Sequence, residues 1–182
     1  MSDRFAADRR AVELLPHDPA WAAMAAAESA RLADAIGPTL ERVEHVGSTS
    51  IPGIVAKPTI DLMPIVRDLA ELDARQSAIE ALGYVWRGEF GIPGRRYCIR
   101  EEGRRRLFHA HCHEAGSQEV GRMLAFRDYL RAHADEAGAY EALKHAAAAA
   151  HPDDTLAYSN AKSDWIRACI DRATAWVCAR DA

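Results

Sequence analysis

The sequence predicts an α/β (α+β) protein, a β-sheet covered by helices. Three observations carry this. Strands and helices mix from the start of the chain to about residue 113, and from Gln118 onward nearly everything reads as helix. The run Ile60 to Val66 is apolar, of strand length, and consistent with burial on both faces.

Asp18-Pro19 reads as an N-cap followed by proline at the first helical position. The helix runs through Trp21, Met24, Leu32 and Ile36, and Gly37-Pro38 ends it. Val43 to Val46 is a short strand, and residues 47–58 form a loop punctuated by Gly, Pro and Ser. After the Ile60 to Val66 strand, Leu69 to Leu82 reads as one helix with Gly83 beyond its end. Tyr84 to Trp86 is a further strand, and Glu89 to Gly94 a Gly/Pro loop. Tyr97 to Arg100 and Arg106 to His113 are two strands joined by a charged turn at Glu101-Glu102-Gly103. The remaining helices fit about 118–132, 134–150 and 156–178, with a break at Pro152.

The 182 residues form one expected domain, without repeat or linker. Hydrophobic residues make up 49% and charged residues 27%, as in ordinary globular proteins. The net charge of −4 gives no global pull toward nucleic acid or anionic membrane. Met1 to Arg10 is polar and has no apolar core of the signal-peptide kind, and no apolar run is long enough to span a bilayer. Cys98, Cys112, Cys169 and Cys178 form no Cys-x-x-Cys pair. A reducing, cytoplasmic setting with free thiols is the expectation.

Four features carry candidate chemistry. The first is the Gly47-Ser48 turn, followed by Asp61 inside an apolar strand. A charge there is costly to bury without a partner. Backbone N–H groups of such a turn can hold an anion, and an aspartate on the next strand can hold a metal ion against it. Gly53 and Lys57 do not give the Walker A spacing. The second is His109, His111 and His113, which alternate along a strand and so share one face. Such imidazoles suit divalent transition metals.

The third is arginine at strand starts: Arg95 and Arg96 after Gly-Ile-Pro-Gly, and Arg106 before the histidines. Arginine forks bind phosphate in bidentate fashion. The fourth is cations on apolar helix stripes. Arg127 lies four after Met123 and three before Leu130, and Lys162 lies four after Tyr158 and three before Trp165. Lys144, four after Tyr140, is a weaker third case. Together they suggest a polar cleft under the helices.

Taken in order, these segments resemble the GrpB family of the nucleotidyltransferase-fold superfamily over nearly the whole chain. The likeness rests on His45-Val46-Gly47-Ser48-Thr49, Pro52-Gly53, Ala56-Lys57-Pro58 and Ile60-Asp61. It continues through Gly91 to Tyr97, His109-Ala110-His111, Ala125 to Arg131, Tyr140 to Lys144 and Tyr158 to Ser163. The resemblance implies a nucleotidyltransferase-like mixed sheet flanked by helices, with a helical C-terminal part. Similar domains occur fused to dephospho-CoA kinase in some bacteria, which points toward nucleotide or coenzyme A metabolism.

In that superfamily a Gly-Ser turn grips the terminal phosphates, and two carboxylates one residue apart on the next strand hold divalent metal. Gly47, Ser48 and Asp61 match, but Met63 stands where the second carboxylate is expected, and a thioether does not suit Mg²⁺. The expected catalytic residues are Asp61, Arg95 and Lys162. Gly47, Ser48, Thr49, Lys57, Arg96 and Arg127 are expected to bind the nucleotide or phosphate ligand. Asp61, His109 and His111 are the expected holders of a divalent metal, Mg²⁺ or Mn²⁺, or Zn²⁺ or Ni²⁺ through the histidines. A module that binds nucleotide without turnover and a metal-dependent hydrolase using the His-x-His strand are the alternatives.

Overall fold

The computed structural model describes residues 11–180, so the polar start, Met1 to Arg10, lies outside the described residues. Helix α1 (Ala20–Ile36) begins where Asp18 Oδ1 accepts the Ala20 N–H at 2.8 Å, one residue later than the proline spacing suggests. It leads into β1 (Leu40–Val46) and, after a 3-10 turn at Ser48–Ser50, into β2 (Ile60–Val66). The short helices α2 (Leu69–Asp73) and α3 (Gln76–Ala81) precede β3 (Tyr84–Trp86), β4 (Arg95–Glu102) and β5 (Arg105–Glu114). Four helices close the chain: α4 (Gln118–Ala132), α5 (Ala134–Ala150), α6 (Thr155–Asn160) and α7 (Ser163–Arg180). Among the described residues no helix is long and apolar enough to cross a membrane.

The sheet order is β1-β2-β5-β4-β3. It is mixed: β2 and β5 run parallel, and the other neighbours are antiparallel. The two long strands extend past their predicted ends, and the hairpin turn falls at Gly103-Arg104 rather than at Glu101-Glu102-Gly103.

Two helices expected as continuous are broken. Residues 69–82 divide because Arg75 N–H bonds back three residues to Leu72, a tight step that ends α2. Residues 156–178 divide at Ala161-Lys162. There the Lys162 N–H bonds three residues back to Ser159, while Ser159 and Ser163 hydroxyls bond the carbonyls four residues before them. Such back-bonding bends helices. The first turn of α6 is capped by Asp154, whose Oδ1 accepts the Leu156 and Ala157 N–H groups at 3.0 and 2.9 Å.

Strand alternation gives the sheet two different faces. Leu62, Cys98, Ala110 and Cys112 point toward α1, where they pack with Trp21, Leu32 and Ile36. Met24, expected on the same helix stripe, is instead 44% exposed. On the opposite face, Met63 and Ile65 pack with Val46 and with Val120 of α4. A further core joins Ala125, Tyr129 and Leu130 of α4 to Tyr140 of α5 and Cys169 of α7. The α4 cover ends at Met63. Two residues earlier on the same strand face, Asp61 meets an open cavity instead of a helix.

Candidate functional site

That cavity has a volume of about 1160 Å³ and lies between the Asp61 face of the sheet and the α5–α6 region. Its floor is assembled by register. Asp61 on β2 stands beside His109 on β5, and Tyr97 on β4 stands beside His111. His109 Nδ1 is 3.1 Å and His111 Nε2 is 3.3 Å from the same Asp61 Oδ1. One donor atom from each residue falls within 4.8 Å of the others. Burial alone would raise the Asp61 pKa, but the bonds and charges of His109 and His111 outweigh it and hold the carboxyl well below its usual range. His109 Nε2 is buried and has no hydrogen-bond partner. One carboxylate with two imidazoles is a donor set suited to Mn²⁺, Zn²⁺, Ni²⁺ or Fe²⁺ more than to Mg²⁺, which favours all-oxygen sites.

Gly47 sits directly against this group. Its φ is +67°, and a Cβ placed there would lie 2.4 Å from Asp61 Oδ2. Only glycine permits both the backbone angle and the approach. Ser48 Oγ lies 3.4 Å from the Tyr140 hydroxyl, and Thr49 Oγ1 lies 2.9 Å from His45 Nε2.

The helical wall is cationic. Lys144 follows Tyr140 by four residues, and Lys162 follows Tyr158 by four. In each case the ammonium sits over the tyrosine ring, at 4.6 and 3.9 Å from the centroid. Lys57 reaches the Tyr158 ring as well, at 5.2 Å. Its loop is held by α5 through the backbone of one residue: Val55 N–H donates to Glu141 Oε1, and Lys144 Nζ donates to the Val55 carbonyl. Burial, reinforced by the neighbouring lysine charges, pushes Lys144 down to about 7 and Lys162 down to about 8.

These lysines have a pH signature. Unfolded lysines titrate near 10.4, so between about pH 7 and 8.5 the unfolded chain binds more protons than the folded one, and stability contributed here rises with pH. Above about pH 8.5 the buried thiols of Cys112 and Cys169, both pushed up, act in the opposite sense. Affinity for an anion should fall over the lower window as the lysines lose charge. Calorimetric titration at pH 6.5 and 8.5 with sulfate, whose charge is the same at both, checks this. Equal affinities would remove the lysines from anion binding.

All the residues expected at the site line the cavity except Arg96 and Arg127. Arg96 is corrected by strand alternation: it leaves β4 on the face opposite Arg95 and forms a bidentate pair with Asp73 of α2, at 2.6 and 2.7 Å. Arg127 snorkels to the edge of α4, where Glu44 accepts at 2.8 Å, the His45 carbonyl at 3.1 Å, and Asp128 supplies a second carboxylate. It fastens α4 to β1. Arg95 does line the cavity, but Nη2 and Nε donate to the carbonyls of Phe90 and Glu89 at 2.9 and 3.3 Å, so it supports the preceding loop. His113, though on the histidine face, is buried beyond the Asp61 group. Tyr140, Tyr158 and Tyr97 also line the cavity and are not among the residues expected from the sequence. The repeated Tyr-x3-Lys spacing was the signal for the first two.

The fold and site thus define a mixed-sheet α/β protein whose cavity faces Asp61, His109 and His111 on one side and lysines on the other. The chain belongs to the GrpB family, whose model, described as GrpB protein, matches residues 11–172. Over 168 residues it is 39% identical to the UPF0157 protein YqkA of Bacillus subtilis, covering 92% of this chain but only 49% of that one. The chain therefore spans about half the length of that relative. A UPF0157 protein of Streptomyces coelicolor is 39% identical over 164 residues, covering 90% of this chain and 85% of its own. A protein named dephospho-CoA kinase in Mycolicibacterium paratuberculosis is 31% identical over 194 residues, covering 92% of this chain and 47% of its own. The crystal structure of GrpB from Enterococcus faecalis superposes with a TM-score of 0.86 at 36% identity, covering 91% of this chain and 99% of that one.

Proposed function

We propose that this protein binds a phosphate-bearing ligand, a nucleotide in the first reading, together with a divalent metal, and that it acts as a nucleotidyltransferase-like enzyme on it. One observation carries the reading: Asp61, His109 and His111 converge on the same cavity as Lys57, Lys144 and Lys162. Such a cavity complements a polyanion that a metal also grips. A divalent ion held by Asp61, His109 and His111 would supply Lewis-acid stabilisation of charge on a phosphate oxygen. Lys162 and Lys144 would hold the anion from the helical side, and the Ser48 hydroxyl stands at the turn that meets it. The relative named dephospho-CoA kinase supports a nucleotide as the ligand.

The second reading is binding without turnover. Met63 favours it: the residue where a second carboxylate would stand is fully buried under α4, packed with Val46, Ile65 and Val120. That leaves Asp61 as the carboxylate of the site, against the two-carboxylate pattern of two-metal transfer.

The test is thermal unfolding with Mn²⁺, Zn²⁺ or Mg²⁺ and a panel of nucleotides and coenzyme A precursors. A ligand that binds only the native state raises the midpoint by mass action. The expected result is a shift with metal plus nucleotide that is lost in Asp61→Ala, followed by turnover of that nucleotide with a suitable acceptor. A shift without turnover moves the function to the second reading. No shift with any phosphate compound overturns both.

A further inference from the structure

The cavity rim carries an aromatic group that neither the metal group nor the lysines require. Phe90 lies in the loop between β3 and β4, is 43% exposed, and lines the cavity. It is the one non-glycine with a positive φ, +44°, among the described residues. A phenylalanine in the left-handed region is strained, and such strain persists only where the surroundings impose it. Here they do. Buried Arg95 holds the Phe90 carbonyl from below, Glu89 Oε1 accepts the Gly94 N–H at 2.7 Å, and Gly88 and Gly91 flank the residue with positive φ of their own.

The loop spends this strain on presenting one ring. Phe90 stacks on Tyr97 with 5.4 Å between centroids and 28° between planes. Tyr97 in turn contacts both imidazoles of the metal-ligating group, 5.4 Å from His109 and 5.0 Å from His111. The Arg95 guanidinium lies 4.8 Å from the Tyr97 centroid. Leu156, at the start of α6 on the helical side, is a second large apolar side chain left exposed at the cavity, at 41%. The cavity thus has a charged interior and an aromatic ring at its rim, linked to the two imidazoles through Tyr97.

We infer that Phe90 is a stacking platform for a flat heteroaromatic ring, so that the ligand class is a nucleoside polyphosphate rather than a sugar phosphate or an inorganic polyphosphate. This rests on the phosphate-ligand reading above and adds the base to it. The polyphosphate lies toward the lysines and the Asp61 group, and the base lies on Phe90. Stacking reads a ring face rather than a hydrogen-bonding edge, so the platform discriminates base from no base more than one base from another.

The test is isothermal titration of the full chain, with Mn²⁺ present, against inorganic tripolyphosphate and the common nucleoside triphosphates. The wild type should bind at least one nucleoside triphosphate about tenfold or more tighter than tripolyphosphate, the scale of one aromatic–base stack. Phe90→Gly should erase that margin and leave tripolyphosphate affinity unchanged, since glycine keeps the positive φ of the loop. Phe90→Trp should keep the margin. If the wild type binds tripolyphosphate and nucleotides equally, the platform is overturned and the phosphate reading stands. If it binds neither, both fall. A margin that survives Phe90→Gly also overturns the platform.

Discussion

Gly47→Ala should destabilise the protein by roughly 2–5 kcal/mol, the sum of a left-handed alanine and an overpacked contact, and should abolish metal binding. The added methyl group would fall 2.4 Å from Asp61 Oδ2 and 3.0 Å from Asp61 Cβ and Cγ. Asp61 has little room to yield, since its strand is paired with β1 on one side and β5 on the other, and its carboxylate is held by two histidines. Relief must come from displacing the carboxylate, which breaks the donor set, or from unseating the Gly47 turn. Gly53→Ala is the control. Its φ is +81°, and nothing lies within 4 Å of the added methyl group, so only the backbone strain applies. Urea unfolding with Mn²⁺ titration of both variants is the measurement. Gly47→Ala as mild as Gly53→Ala would show that the close approach is not a constraint.

Lys144→Met should make the ligand-free protein more stable while weakening phosphate binding. Lys144 is 1% exposed, its charge faces Lys162 and Lys57, and its compensations are the Val55 carbonyl, the Tyr140 ring and Glu141. Methionine fills the same volume without a charge. A lysine whose pKa is pushed down to about 7 by burial destabilises the fold while it is charged, and methionine removes that penalty against about 1–3 kcal/mol for leaving the Val55 carbonyl without its donor. Phosphate affinity should fall about 10- to 100-fold, the scale of a hydrogen bond to a charged group. The unfolding midpoint and phosphate titration, read together, decide it. A less stable variant with unchanged phosphate affinity would make Lys144 a structural residue.

Sequence legibility followed the cost of burying charge. Asp61 in an apolar strand and Lys162 and Lys144 on apolar helix stripes each stood out because such placements are unfavourable without a reason, and all three line the cavity. The mixed sheet followed from strand length and periodicity. The errors have equally physical origins. Arg95 and Arg96 are adjacent on a strand, so only one of them can face the cavity. Arg127 pairs with its neighbour Asp128 and with Glu44, 83 residues away, and no local spacing reveals the second partner. The glycines and proline of residues 89–94 mark a loop, but the left-handed Phe90 within it depends on the Arg95 guanidinium of the following strand. The two helix breaks arise from single three-residue hydrogen bonds that propensity does not register.

The alternation of β4 and β5 has a further consequence for how this scaffold can change. Odd-numbered positions such as Tyr97, His109 and His111 face the cavity, while their even-numbered neighbours Cys98, Ala110 and Cys112 fill the α1 core. The two sets share a backbone and little else. Ligand preference could therefore be rewritten at one parity while the other kept the sheet intact. The exception is Asp61, which a glycine on the adjoining turn touches directly, so this carboxylate and the shape of that turn must be inherited as a pair.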